Sequence, residues 1–375
     1  FMKLFKSLLV APATLGLLAP MSATANEVTI SDFTPAEQLA ITNSRVDGLE
    51  ARLNNIEAGS FSETTTASFS ADFAVGMVDG LGITAARTDG NEDLEFNYSF
   101  QIDLNTSFTG EDSLDISIDA GNGVAANTST ATGTITGWQT ALAEFDLNTG
   151  GDGLTVDGVS YTFPVGDSMT VIVGDNTDGS ALFTTACVYG GPSNTLDDCG
   201  NVNAAITNGG AMVGASYEFG SGWSAAVGYA GENGSVMTDE GQDAYGINAA
   251  YTGDNYGVSL TIGVLDSLNA DATPVLDGFS DNYTAINGYF TPEGLPSISV
   301  GYEVGEDASI EGNGDELTNF FAGLVWDEVG PGSLGIAMGT RVDTVEDTDA
   351  QYQYEAYYSY AINDGMTVTP LIFVQ

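Results

Sequence analysis

The 375 residues carry 52 Asp and Glu against 6 Lys and Arg and no His, a formal charge of −46 at pH 7. Phosphate backbones repel such a chain, which excludes nucleic acid as a partner. Without His the usual zinc sets and His-centred triads are absent, so no enzyme is expected. Mean hydropathy is near neutral and Gly is abundant, at 48 residues. No apolar run after the N-terminus approaches the roughly 20 residues of a membrane-spanning helix.

Residues 1–25 have the form of a secretory signal peptide. Lys3 and Lys6 make a positive start, Leu8 to Leu18 is a short apolar core, and Ala23-Thr24-Ala25 is a small-x-small cleavage site. Removal of both Lys leaves four Arg against 52 carboxylates, a charge of −48. Residues 26–59 are then expected to form a linker and a short coiled-coil helix. Thr34 is its N-cap, Pro35 sits at N1 and Glu37 completes a capping box. Leu39, Val46 and Leu53 at a, with Thr42, Leu49 and Ile56 at d, fit either a short oligomerising coiled-coil stalk or a single amphipathic helix packed on a barrel.

From Phe61 the hydrophobic period becomes 2, the signature of β-strands. Leu94 to Leu104, LEFNYSFQIDL, alternates apolar and polar residues over 11 positions, the length of a transmembrane β-strand. Similar runs recur to the C-terminus. Short turns such as Gly220-Ser221-Gly222 and Gly253-Asp254-Asn255 alternate with long acidic loops, as at the two rims of a membrane barrel. Residues 60–375 are therefore expected to be an all-β, transmembrane antiparallel β-barrel of about 16 strands. Tyr217, Phe219, Trp223, Tyr229, Tyr251, Tyr256, Tyr289, Tyr302 and Tyr360 lie towards strand ends, as interfacial girdles require.

The phase opposite the apolar one carries Asp72, Glu95, Asp103, Asp115, Asp119, Glu218, Glu303, Glu355 and Arg341. On a lumen wall these carboxylates would concentrate cations. The loops around 121–150 and 176–210 are candidates for folding inward and narrowing the lumen. Cys187 and Cys199 flank VYGGPSNTLDD. In an exported chain they suit a disulfide, the alternative being two free thiols. No cofactor is expected. The acidic turns 89–93 and 178–181 are candidates for Ca²⁺, although neither has EF-hand spacing and the plainer reading is solvated carboxylates.

Five stretches resemble cyanobacterial outer-membrane porins related to the carbohydrate-selective porin family. They are EARLNNIEAGSFSETTTASFSADFAVG (50–76), GVSYTFPVGDSMTVIVG (158–174), GASYEFGSGWSAAVGYAG (214–231), GLPSISVGYEVG (294–305) and EAYYSYAINDGMTVTPLIFVQ (355–375). The resemblance implies a homotrimeric porin in outer-membrane lipid and lipopolysaccharide, passing small solutes and inorganic ions. Family members often carry a surface-layer-homology domain before the coil. Only about eight residues separate Ala25 from Thr34 here, so that domain is expected to be missing and cell-wall contact is left open. The functional expectation is a cation-preferring porin for passive diffusion. The alternative is an acidic, β-rich surface-layer or adhesion protein without channel activity.

Overall fold

The computed structural model describes residue 34 and residues 65–77, 94–123, 141–145, 147–148, 151–207, 210–234, 236–237, 241–266, 280–307, 315–346 and 348–375. Apart from Thr34, all belong to one unit, Thr64–Gln375. The signal peptide, the helix expected after Thr34 and the acidic turn 89–93 lie outside the described residues.

Among the described residues seventeen strands form one sheet. They are β1 (Thr65–Gly76), β2 (Glu95–Thr106), β3 (Ser113–Gly121), β4 (Thr155–Val165), β5 (Met169–Asp175), β6 (Ala211–Gly220), β7 (Trp223–Gly231), β8 (Asp243–Thr252) and β9 (Tyr256–Asp266), followed by β10 (Ser280–Phe290), β11 (Ser297–Asp307), β12 (Asp315–Val329), β13 (Gly332–Thr340), β14 (Thr344–Val345), β15 (Tyr352–Asn363), β16 (Met366–Val368) and β17 (Leu371–Val374). Neighbours in sequence pair antiparallel from β1 through β13. β14 extends β13 along β12, β15 pairs with β13, and β16 and β17 both pair with β15.

One expectation is corrected. The sheet is not closed into a barrel: among the described residues no ladder joins β1 to β17. Among the described residues, taking β13 with β14 and β16 with β17 as single runs leaves fifteen runs. The last run is short and broken because Thr369-Pro370 interrupts it, and proline has no amide to donate. Its final piece pairs only with Tyr354 to Tyr357. Among the described residues there is no α-helix, only a 3-10 turn at Ala141–Phe145.

Alternation sorts the two faces. One row, here called outward, carries Phe69, Phe73, Phe96, Val213, Ile247, Ile286 and Val300, all exposed; Phe69 is 69 % accessible. Such a face is expensive in water, at about 25 cal/mol for each Å² of apolar surface, and suits a hydrocarbon surround. Tyr217, Phe219, Trp223, Tyr256, Tyr302 and Tyr360 share this exposure. Tyr289 does not: it faces Ser299 across the ladder and lies over Gly257, on the inward phase.

Connections alternate in length. Residues 221–222, 253–255 and 330–331 make tight turns, whereas β3 to β4 and β5 to β6 are joined by long segments. The β2–β3 turn is held by Asp112. Its Oδ1 accepts from Ser107 Oγ (2.7 Å), the amides of Phe108 (2.9 Å) and Thr109 (2.8 Å), and Thr109 Oγ1 (2.8 Å); Oδ2 accepts from Tyr161 Oη (2.6 Å). The Tyr161 hydroxyl, with the Thr109 and Ser107 donors, holds the Asp112 carboxyl well below the usual carboxylate range. Asp112→Ala should therefore loosen this turn at neutral pH, and the difference from wild type should fade only in strong acid, where Asp112 itself protonates. Amide exchange at Phe108 and Thr109 measures this; equal rates at pH 7 would remove Asp112 as the turn's anchor.

Candidate functional site

The segment between β5 and β6 lies across the inward face of β6 to β15. An irregular segment placed there must find partners for its backbone, and side chains of the strands supply them. The amide of Thr184 donates to Asn248 Oδ1 (2.9 Å), Ala186 to Ser259 Oγ (2.9 Å) and Val188 to Ser299 Oγ (3.0 Å). Asn248 Nδ2 donates back to the Thr184 carbonyl (3.1 Å), and Asn287 Nδ2 to the Cys199 carbonyl (2.9 Å). Glycine lets the backbones meet. A Cβ at Gly301 would lie 1.8 Å from the Cys199 carbonyl oxygen, and one at Gly228 the same distance from that of Gly179.

Apolar groups add the rest. Tyr189 and Leu196 pack on Phe321, Val325, Ala337 and Tyr357, with the Tyr189 ring 5.2 Å from Phe321 and 5.8 Å, edge-on, from Tyr357. Ala204 packs with Tyr283, Ala285 and Leu317. Cys187 and Cys199 are joined by a disulfide across twelve positions, a closure worth about 3 kcal/mol.

This path divides the carboxylates into two groups. Glu303 and Glu355, 1 % and 3 % accessible, lie beneath the segment. Glu303 accepts from the amides of Asn203 (2.9 Å) and Ala204 (2.8 Å) and from the side chains of Asn203 (3.0 Å) and Asn319 (3.0 Å). Glu355 accepts from Tyr189 Oη. Both are anchors of the segment. Arg341, half-buried just after β13, is the one basic side chain among the described residues.

Asp72, Glu95, Asp103, Asp115 and Asp119 lie on the wall β1–β3, and Glu218 at the turn end of β6; all are exposed or half-buried. Asp103 accepts from Gln101 Nε2 (2.7 Å) and Ser117 Oγ (2.9 Å), and Asp115 from Asn105 Nδ2 (2.6 Å) and Ser113 Oγ (2.6 Å). Asp119 accepts from Thr155 Oγ1 (2.7 Å). A polar recess of about 460 Å³ on this wall is lined by Asp115, Asp157 and Asp178 with Ser117, Ser160 and Thr177. Among the described residues no three Asp, Glu or Cys come together as metal ligands, the 178–181 turn included.

Sequence reasoning missed Glu144, Tyr189, Asp198 and Phe321. Phe321 was detectable as an aromatic on a phase otherwise filled by Asn319 and Gly323. Glu144 lies where no period is visible. Asp198 sits in the segment beside the disulfide. Burial and the adjacent Asp197, with lesser contributions from Glu303 and Asp343, push its carboxyl up to about 7, while the Gly200 amide (3.1 Å) pulls the other way.

No family model matches the chain. In sequence it is 25 % identical, over an alignment of 403 residues, to the uncharacterized protein alr4550 of a Nostoc species, covering 93 % of this chain and 69 % of that protein. In structure it is similar to Pseudomonas putida OprB, with a TM-score of 0.56 at 11 % identity over 82 % of this chain and 88 % of that one. Vibrio cholerae OmpT, in a trimer form, gives 0.53 at 11 % over 83 % and 89 %. A mutant of the Rh. blastica porin gives 0.51 at 12 % over 82 % and 94 %. The chain has a porin-like fold and a cyanobacterial relative.

Two outcomes follow for the inward segment. Glu303→Ala leaves the amides of Asn203 and Ala204 without their acceptor and should speed proteolysis within 197–207 about tenfold; an unchanged rate would show that the apolar contacts suffice. Because the Asp198 value is raised, its contribution is whole below the ordinary carboxylate value of 3.8 and is lost as pH rises through about 7. Segment protection, taken as the exchange rate relative to the intrinsic rate at each pH, should thus fall between pH 5 and 8 in wild type and fall less in Asp198→Asn; parallel curves would refute the assignment.

Proposed function

We propose that the chain forms a passive channel in the outer membrane for small hydrophilic solutes and inorganic ions, with a preference for cations. The observation that carries this reading is the uneven inward face. The segment covers the β6–β15 wall, while the wall from β1 to β4 keeps Asp72, Glu95, Asp103, Asp115 and Asp119 in reach of water. A solute passing between segment and wall meets carboxylates on one side. These raise the local cation concentration and repel anions. Screening by about 8 Å at physiological salt weakens the effect, so the expected result is preference and not exclusion.

The porin-like fold supports the reading, and so does the outward row of exposed Phe, Ile and Val. An adhesion protein would place that row in an internal core. The assembly proposed is a homotrimer among outer-membrane lipid and lipopolysaccharide, in line with the trimer form of OmpT.

Planar-bilayer recording in a KCl gradient tests this. Purified protein should give discrete conductance steps with a reversal potential of cationic sign. Glu95→Gln combined with Asp103→Asn should move that potential towards zero while leaving the strands intact. Absence of steps would end the channel reading; steps with unmoved selectivity would end the role given to those two carboxylates.

A further inference from the structure

The 3-10 turn Ala141–Phe145 lies far from both ends of the chain in sequence but touches strands near both ends of the sheet. On one side Leu142, almost fully buried, packs on Ala74 of β1. A Cβ at Gly76 would come within 2.9 Å of its Cδ2. Just beyond, the Asn148 amide donates to Ser99 Oγ of β2 (3.3 Å).

On the other side is Glu144, 3 % accessible. Its Oε2 accepts from Gln353 Nε2 of β15 (3.1 Å) and its Oε1 from Gln375 Nε2 at the end of β17 (3.1 Å). Both oxygens receive Thr195 Oγ1 (3.0 and 2.9 Å), and the Glu144 carbonyl accepts from the Asn194 amide (2.7 Å). Gln353 Nε2 also reaches Ser193 Oγ (3.0 Å). The Arg341 charge lies within electrostatic reach.

We infer that Glu144 is a positioning residue that fixes the aperture, coupling the 193–195 stretch of the inward segment to the β1 and β15–β17 ends of the open sheet. A buried carboxylate is costly unless its oxygens are satisfied, and here every donor comes from a different piece of chain. Losing the carboxylate frees Thr195, Gln353 and Gln375 at once. The stretch 193–195 then keeps the Asn194 amide bond to the residue 144 carbonyl, the Gln353–Ser193 contact, the disulfide and the Tyr189–Leu196 packing as remaining restraints, and it loosens within the passage. This inference rests on the channel reading, because it assigns the stretch a place beside the solute path.

The test compares wild type, Glu144→Ala, Glu144→Gln and Leu142→Ala in bilayers, with amide exchange at 193–196 measured in the same detergent-purified proteins. Circular dichroism first selects variants that keep the strand signal. The expected result is about tenfold faster exchange in Glu144→Ala, with a shifted mean conductance and added current noise. Glu144→Gln, which keeps the shape and one acceptor, should fall between it and wild type. Leu142→Ala, which loosens the β1 side, should add noise in the same direction. If wild type conducts and Glu144→Ala matches it in conductance and noise, the inference is wrong while the channel stands. If wild type never conducts, the channel reading falls, and exchange at 193–196 alone decides whether Glu144 holds the stretch. Should Glu144→Ala fail to fold, Glu144→Gln carries the comparison, and wild-type conductance and noise in that variant overturn the inference.

Discussion

Backbone that runs through the inside of a sheet structure has to be hydrogen-bonded by something, and strands have already spent their own amides and carbonyls on each other. The inward segment meets this constraint with side chains. Asn248, Ser259 and Ser299 receive the amides of Thr184, Ala186 and Val188, and Glu303 receives those of Asn203 and Ala204. Alternate residues of an extended chain therefore meet successive parts of the wall. Apart from packing groups such as Phe321, Val325, Leu317 and Tyr283, most inward residues of β7 to β13 are small or polar for the same reason: Gly228 and Gly301 admit backbone where any side chain would collide. Path, burial and the division of the carboxylates all follow from this pairing.

The resulting asymmetry gives residues of one strand phase two physical jobs. A carboxylate under the segment is dry and accepts from the segment, so it works as an anchor. A carboxylate on β1 to β4 is wet and has a few hydroxyl and amide neighbours, so its charge is felt by ions. Glu303 and Asp103 differ in this way although both sit on the polar face of a strand. What separates them is whether chain from β5–β6 passes overhead.

Much of the strand layout was legible in the sequence, because alternation over ten or so residues survives any tertiary context that has one apolar side. Leu94 to Leu104 is the clearest instance, and β2 occupies nearly that stretch. The inward phase of Asp72, Asp103 and Glu355 was legible for the same reason. What lay beyond reach depends on contacts distant in sequence. Glu303 and Glu355 carry no local mark of being covered. Glu144 sits in a region without period, and its importance comes from Gln353 and Gln375, more than 200 residues away. Tyr289 has the look of a girdle residue but takes the other phase of β10. Closure was inferred from the repetition of strands, and repetition does not ensure that the first and last will pair; Pro370 and the brevity of β17 work against it.

The acidic wall also has a consequence for the protein before any solute passes. Asp72, Glu95, Asp103, Asp115 and Asp119 are crowded on neighbouring strands, with Arg341 as the one basic side chain among the described residues. Each folded molecule must gather a cloud of counter-ions to hold these charges together. Salt, which weakens proteins held by ion pairs, here relieves self-repulsion. The mobile cations proposed as cargo are thus also part of what makes the wall tolerable, and an environment stripped of them would strain the fold before it starved the channel.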